Sequence, residues 1–310
     1  MTWTSRAART LAAATADRAP AVAVVAADPD GTEIVTAGCA PDDGFEIGSI
    51  TKTMTGALLA DAVTGGRVSL DDPVGRWLDA GENADITLIE LATHTSGLPR
   101  LSPGHVAGTP DPYAFLTADT AQHELRISPR RPRAGYEYSN FGFQVLGLAL
   151  ERATGTPFDS LLGLRLCAPL AMNRTGVGRA GDAPSRPGHR AGKPVRPWTH
   201  HLPGAGGVVA TARDMAAYLH ACLTAPRGPL GPAIELAERP HHRIDQRQSA
   251  GLGWALGPPG YLGHDGGTSG FRSMLGIKTT DRHGVLVLAD EAGAHGLGAA
   301  VRAVLDDPAR

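Results

Sequence analysis

Lysine is almost missing from this chain. Lys52, Lys193 and Lys278 are the only lysines, against 26 arginines among 310 residues, so a lysine found inside a motif is informative. Cysteine is equally scarce. Cys39, Cys167 and Cys222 are odd in number, far apart and never in a Cys-x-x-Cys pair, so neither a disulfide framework nor a zinc site is indicated, and a reducing compartment fits. No apolar run approaches the roughly 20 residues of a membrane span; the longest, 20–27, stops at Asp28. Arg6, Arg9 and the short run 11–14 resemble an export signal only superficially, because Thr15, Ala16, Asp17 and Arg18 follow it, and a cytoplasmic protein is expected. A net charge of −2 gives no field that would draw the chain onto nucleic acid or an anionic membrane. Partners must therefore be recognised locally. What remains is globular: 42% apolar content fills a core for one large or two modest domains, and 40 glycines with 24 prolines stay below low-complexity levels.

Runs 21–27 and 32–37 are β-rich and separated by Asp28-Pro29-Asp30-Gly31, which predicts a hairpin. Runs 251–256, 261–266, 271–280 and 285–289, punctuated by Gly257-Pro258-Pro259-Gly260 and Asp281-Arg282-His283-Gly284, predict a meander. A last helix over 297–305 places Val301 and Leu305 on one face. Helices dominate between these ends. Thr87 and Glu90 make a capping box that Ile86 and Leu91 close as a hydrophobic staple, and Thr211 with Asp214 repeats the box ahead of an apolar face of Met215, Leu219, Cys222 and Leu223. The Gly-, Pro- and Arg-rich stretch 174–206 reads as a long irregular connection, and no internal repeat is present. The expectation is an α/β chain of the α+β type: an antiparallel five-stranded sheet from both termini (1–65 and 206–310), flanked by helices, with a mostly helical lobe (66–205) and a binding cleft between.

Ser49-Ile50-Thr51-Lys52 opens a helical stretch to about Val63, on which Ile50, Met54, Leu58 and Ala62 recur at helical spacing. Ser49 and Lys52 then share one face. Ser49 as a plain N-cap is the bland alternative. Against it, the place where a capping box has Glu or Gln holds Lys52, a cation at the positive end of the helix dipole. That setting favours a neutral amine, which is what a base needs to take a proton from a neighbouring hydroxyl. Tyr138-Ser139-Asn140 lies on a loop entering a helix over 141–153; a phenol beside a lysine relays protons, an Asn amide holds a carbonyl or amide, and Ser139 or Asn140 also suits a cap. His264-Asp265-Gly266-Gly267 sits on a strand near the end of the sheet, where glycines admit a substrate backbone and the Gly267 amide pairs with that of Ser49 as an oxyanion hole. By chance a Ser-x-x-Lys arises in about one such chain in ten and a Tyr-x-Asn in about one in twenty, so the two together are rare, whereas His-x-Gly alone is uninformative.

In order, Phe45-Glu46-Ile47-Gly48-Ser49-Ile50-Thr51-Lys52-Thr53, Leu91-Ala92-Thr93-His94-Thr95-Ser96-Gly97-Leu98-Pro99, Tyr138-Ser139-Asn140-Phe141-Gly142, residues 206–214 and residues 263–271 resemble one family. It is that of the serine hydrolases related to class C β-lactamases and serine D-Ala-D-Ala peptidases, which includes esterases and acyltransferases. The resemblance spans about 20–305. It implies that Ser49 is the acylated nucleophile, Lys52 its proton acceptor and Tyr138 a base or relay to the leaving group, while Asn140, His264, Gly266 and Gly267 bind substrate. Whether Lys52 or Tyr138 takes the first proton stays open here. Two departures are Arg133-Ala134-Gly135, where the family has Pro-Gly, and a short segment between 180 and 250.

His94 is given a structural role near a helix end, with a charge suited to the dipole there. The adjacent pairs His200-His201 and His241-His242 point their rings apart, so no metal is expected, nor any cofactor. Arg126, Arg130, Arg131 and Arg133 read as a solvated face, and Asp71-Asp72-Pro73 as a turn. Gly251-Leu252-Gly253-Trp254 reads as a closely packed strand. The functional expectation is acyl-enzyme hydrolysis of an ester, a β-lactam or a D-amino-acid amide, on a small-molecule or peptide-like substrate. Acyl transfer or peptide cyclisation, and a receptor that is acylated and stays so, are the alternatives.

Overall fold

A computed structural model describes residues 1–106, 108–130, 135–178, 186–258 and 260–306. The first hairpin is β1 (Val22–Asp28) and β2 (Gly31–Ala37). Two short strands, β3 (Gly44–Glu46) and β4 (Gly176–Val177), join β7 (Val208–Thr211) in a small separate sheet, and β5 (Gly188–Arg190) pairs with β6 (Lys193–Val195). Toward the C-terminus follow β8 (His242–Arg243), β9 (Ser249–Ala250), β10 (Ala255–Gly257), β11 (Tyr261–Gly267), β12 (Arg272–Lys278) and β13 (His283–Ala289).

The main sheet is antiparallel in the order β2-β1-β13-β12-β11-β10-β9-β8, so it has eight strands rather than five. The additional edge is made of β8, β9 and β10, pieces of two or three residues. Residues 251–254, expected as strand, instead form a turn between β9 and β10. The long connection 174–206 carries β4, the β5–β6 hairpin and a 3-10 turn, Pro203–Ala205; its residues 179–185 lie outside the described ones.

Period-two alternation splits each central strand between two apolar layers. Ala23 and Val25 of β1 and Leu286 and Leu288 of β13 face the main core, whereas Val22, Val24, Val285 and Val287 face a second cluster. That second cluster is closed by α1 (Trp3–Thr15), through Ala7, Ala8 and Leu11, and by a C-terminal helix, Leu297–Asp306, through Val301 and Leu305. Burial on both faces explains why β1 and β13 read as nearly continuous apolar runs.

The main core surrounds α2 (Thr51–Thr64), which is buried from Thr51 to Ala62 and has no polar face. Its buried polar groups are all answered: Thr55 donates to the Gly204 carbonyl at 2.7 Å, and Asp61 accepts from Arg165 at 2.8 and 2.9 Å and from Arg67 at 2.5 Å. Around it lie α3 (Leu88–Ala92), α4 (Ala118–Ile127), α5 (Asn140–Thr154), α6 (Phe158–Leu162), α7 (Ala212–Thr224) and α8 (Leu230–Glu238); the C-terminal helix is α9. The Thr87–Glu90 capping box forms at α3. At α7 only half of the expected box exists. Thr211 accepts from the Asp214 amide, but the Asp214 carboxylate accepts from the Arg174 amide and the Thr175 hydroxyl, both at 2.8 Å, because a long-range partner outcompetes the local one. Arg126 and Arg130 pair with Asp79 and Asp85 at the surface; Arg131, Arg133 and Ala134 lie outside the described residues.

Candidate active site

Ser49 sits in a 3-10 turn, Gly48–Ile50, and α2 begins two residues later with Ile50 at its N-cap and no side-chain cap. The plain capping role for Ser49 therefore falls away. Gly48 has φ +52, and a Cβ there would stand 2.5 Å from the Gly267 nitrogen. The serine turn thus lies directly against the end of β11. Lys52, fully buried one turn on, donates from Nζ to Ser49 Oγ at 2.9 Å and to the Ala205 carbonyl at 2.5 Å. Burial lowers its pKa well below the usual lysine value; the Arg100 guanidinium pushes the same way and Asp265 opposes.

Ser139 caps α5, accepting from the Gly142 amide at 2.8 Å, and so fixes Tyr138 and Asn140 on either side of it. Tyr138 lies over Lys52, with Nζ 5.0 Å from the ring centroid. Burial raises its pKa, and the Ser49 hydroxyl and Arg100 pull it partly back. Asn140 Nδ2 donates to the Tyr113 hydroxyl at 3.2 Å, while its buried Oδ1 has no hydrogen-bond partner among the described residues.

His264 is buried on β11, its Nδ1 is 2.7 Å from the Asp265 carbonyl oxygen, and its pKa falls to about 4, chiefly through burial and then Lys52, so it is neutral. The structure places Gly266 beneath the serine turn: a Cβ would stand 2.1 Å from the Ile47 carbonyl oxygen. That approach packs the strand closely against the turn. Thr268 donates from its amide to the Phe271 carbonyl at 3.1 Å, which makes Gly267 and Arg272 the next, non-hydrogen-bonded pair of the β11–β12 ladder. The Gly267 amide consequently points away from β12, past the end of β10, to the open edge beside Ser49. The Ser49 amide, in the first turn of its helix, has no carbonyl behind it.

A cavity of about 500 Å³ opens in front of Ser49; Asp265 lines it, and so, beyond the expected site residues, do Arg100, Tyr113, Arg190, Trp198, Thr268 and Arg272. None of these six carries a spacing signal in the sequence. A second cavity of about 130 Å³ lies on the far side of Tyr138, walled by His94, Tyr136, Trp254, His264 and Asp265. His94 corrects its expected charge: buried, with its pKa well below the usual histidine value through burial and then Lys52, it is neutral. Its Nδ1 accepts from the Ser139 amide at 3.0 Å and its ring packs 4.4 Å from that of Tyr138. His200 also lines the site, stacked 5.4 Å from Tyr113, whereas His201 is exposed. Among the described residues no group of three or more His, Cys, Asp or Glu is arranged to hold a metal ion.

The five sequence blocks thus meet around one serine. Residues 7–307 match the model of the β-lactamase family, and the chain belongs to that family. Among its relatives, the D-alanyl-D-alanine-carboxypeptidase/endopeptidase AmpH of Escherichia coli (strain K12) is 28% identical over 277 residues, which cover 80% of this chain and 71% of that protein. A β-lactamase of the same organism is 30% identical over 226 residues, 68% of this chain and 57% of the relative. A β-lactamase of Pseudomonas fluorescens is 29% identical over 225 residues, 69% of this chain and 60% of the relative. Among the described residues no helix is long and apolar enough to cross a membrane.

Proposed function

We propose that the chain is a serine hydrolase that passes through an acyl-enzyme on Ser49, with an ester, a β-lactam or a D-amino-acid amide as substrate. The observation that carries this reading is the buried Lys52 amine 2.9 Å from Ser49 Oγ, with a pKa displaced toward the neutral form. Tyr138 is displaced the other way, toward keeping its proton. The two shifts support a division of roles in which Lys52 takes the Ser49 proton and Tyr138 hands a proton to the departing group. As the Oγ–carbon bond forms, the carbonyl electron pair moves onto oxygen, which the amides of Ser49 and Gly267 receive. Collapse breaks the bond to the leaving group. Lys52 returns the proton it took to the Tyr138 phenolate and is neutral again; water then attacks the acyl-enzyme, Lys52 accepts its proton and passes it to Ser49 Oγ as the acyl–oxygen bond breaks, and the acid departs. Asn140 Oδ1, buried and unpaired among the described residues, accepts from a substrate N–H in this reading, and neutral His264 steadies the edge of β11.

We read the cleft as the join of a sheet lobe, 1–65 and 206–310, and a mostly helical lobe, 66–205. The names of the relatives support β-lactams and D-Ala-D-Ala peptides as substrate classes. Intact-mass analysis with an activated-serine probe, wild type against Ser49→Ala, tests the site, and a chromogenic cephalosporin beside a short-chain nitrophenyl ester tests the chemistry. Labelling and turnover in the wild type alone are expected; labelling that survives Ser49→Ala overturns the assignment.

A further inference from the structure

Arginines across this molecule are paired with aspartates: Arg126, Arg130, Arg165, Arg186 and Arg213 each have such a partner at 2.6–3.2 Å. Among the described residues the three arginines of the Ser49 cavity are not, and one of them, Arg100, lies over the Tyr138 ring at 5.0 Å. Among the described residues neither Arg190 nor Arg272 meets a carboxylate within 4 Å. Each is instead tethered by one backbone carbonyl: Arg272 Nε donates to Ala292 at 2.8 Å and Arg190 Nη2 donates to Ser269 at 3.1 Å, leaving the other N–H groups of each fork unassigned.

Their placement is rigid. The β5–β6 hairpin that carries Arg190 docks on the turn between β11 and β12, with the His189 amide donating to the Gly270 carbonyl at 3.0 Å and the Ser269 hydroxyl to the Arg196 carbonyl at 2.8 Å. The fit needs glycine on both sides, since a Cβ on Gly270 would stand 2.6 Å from the Gly188 Cα. Arg272 lies opposite Gly267 in the ladder, and a Cβ on Gly267 would stand 2.5 Å from Arg272 Nη1. One guanidinium is therefore beside the glycine whose amide faces the serine.

Acids stand nearby, the Glu291 carboxylate accepting from the Ala191 and Gly192 amides at 3.1 and 2.9 Å, but among the described residues none forms an ion pair with either fork. Glu46 is buried, and burial pushes its pKa upward toward the neutral form, with the Thr268 hydroxyl opposing. Asp111 accepts from the Thr199 amide at 2.8 Å and the Tyr113 amide at 3.3 Å. Asp265 lines the Ser49 cavity as well as the smaller one beside Tyr138, yet among the described residues it comes within 4 Å of neither Arg190 nor Arg272.

We propose that Arg190 and Arg272 form a subsite for a carboxylate carried by the acyl part of the substrate. This rests on the reading of Ser49 and Tyr138 given above. If the leaving group departs toward Tyr138 and the carbonyl oxygen sits between the Ser49 and Gly267 amides, the remaining substituent of the carbonyl carbon extends toward Thr268, Trp198 and the two arginines. Planar forks matched to a carboxylate make that end selective for an anionic acyl chain.

The test uses the full chain and three 4-nitrophenyl esters with one leaving group and matched acyl length: the adipate half-ester, its neutral methyl ester and the cationic 6-aminohexanoate. The expected kcat/KM is about tenfold higher for the anionic ester than for the neutral one and lowest for the cation, with the advantage eroded by salt. In Arg190→Ala/Arg272→Ala the anionic-to-neutral ratio falls to within about threefold of unity. If the double variant does not fold, Arg190→Gln, at an exposed position, lowers the same ratio. A wild-type ratio at or below one, or a ratio that the substitutions leave unchanged, overturns the subsite while the hydrolase reading stands. No turnover of any ester and no serine labelling overturn both.

Discussion

A Cβ placed on Gly253 would stand 2.1 Å from the carbonyl oxygen of Lys52. Gly253 has φ +77, and its amide donates to the Ala92 carbonyl at 3.1 Å, so the turn 251–254 is wedged between α2 and α3 at the level of the reactive amine. The same turn approaches α2 again at Gly56, where a Cβ would be 1.8 Å from the Leu252 carbonyl oxygen. Gly253→Ala is expected to cost about 3 kcal/mol, the left-handed strain adding to a clash between backbones that neither side relieves cheaply. Gly66→Ala, at φ +68 with open space around it, costs only about 1 kcal/mol. Denaturant unfolding of both variants checks the contrast; equal losses would show that the contact with Lys52 adds nothing.

Arg100 and Asp265 act on the Lys52 amine with opposite signs. Arg100 favours the neutral amine, so Arg100→Ala raises the Lys52 pKa, and the acid limb of kcat/KM on a neutral ester moves to higher pH. Removing the Asp265 charge with Asp265→Asn lowers that pKa and moves the limb to lower pH. On the limb, rate changes about tenfold per unit of displacement. Profiles of the two variants that move in the same direction, or not at all, would remove Lys52 as the group titrating there.

The serine, the lysine and the tyrosine were legible in the sequence because their relation is local or periodic. A separation of three residues fixes Ser49 against Lys52, and alternating apolar residues fix which face of β1 and β13 meets which layer. The short strands β8, β9 and β10 left no such mark, since two or three residues carry no period and their pairing is imposed by the neighbouring strand. Arg190, Arg272, Tyr113 and Trp198 reach the cavity from separate segments, through docking of a hairpin on a turn. Asp214 illustrates the same limit: its local signature is a cap, and its carboxylate serves the backbone of Arg174, 40 residues away.

Burying Lys52 costs stability over a definite pH range. Its folded pKa is depressed while the unfolded chain keeps a value near 10.4, so below that value the unfolded state binds the proton more readily and the fold is penalised. The penalty is full below the folded pKa and vanishes as pH rises past the unfolded one. Lys52→Met keeps the length and removes the titration, and its Tm at pH 7 is expected to exceed that of the wild type by about 2 °C or more. The gap narrows toward pH 10.5. A Tm difference that stays constant from pH 7 to 10.5 would mean that packing, not charge, governs the position.

His94 is a positioning residue for Tyr138. It holds φ +61 without being glycine, its Nδ1 accepts from the buried Ser139 amide, and its ring lies between those of Tyr138 and Phe143, 4.4 and 4.9 Å away. His94→Phe keeps a ring but strands that amide, at a cost of about 1–3 kcal/mol, and frees the loop that carries the phenol. On a simple ester, which offers Asn140 no N–H, the expected kinetic signature is a drop of about tenfold in kcat with KM little changed, as follows if the loop acts there through the phenol proposed to protonate the leaving group. His94→Asn supplies an acceptor and tolerates the left-handed backbone, so it recovers stability and part of kcat. If both variants lose stability equally while kcat holds, the histidine supports the fold and does not place the phenol.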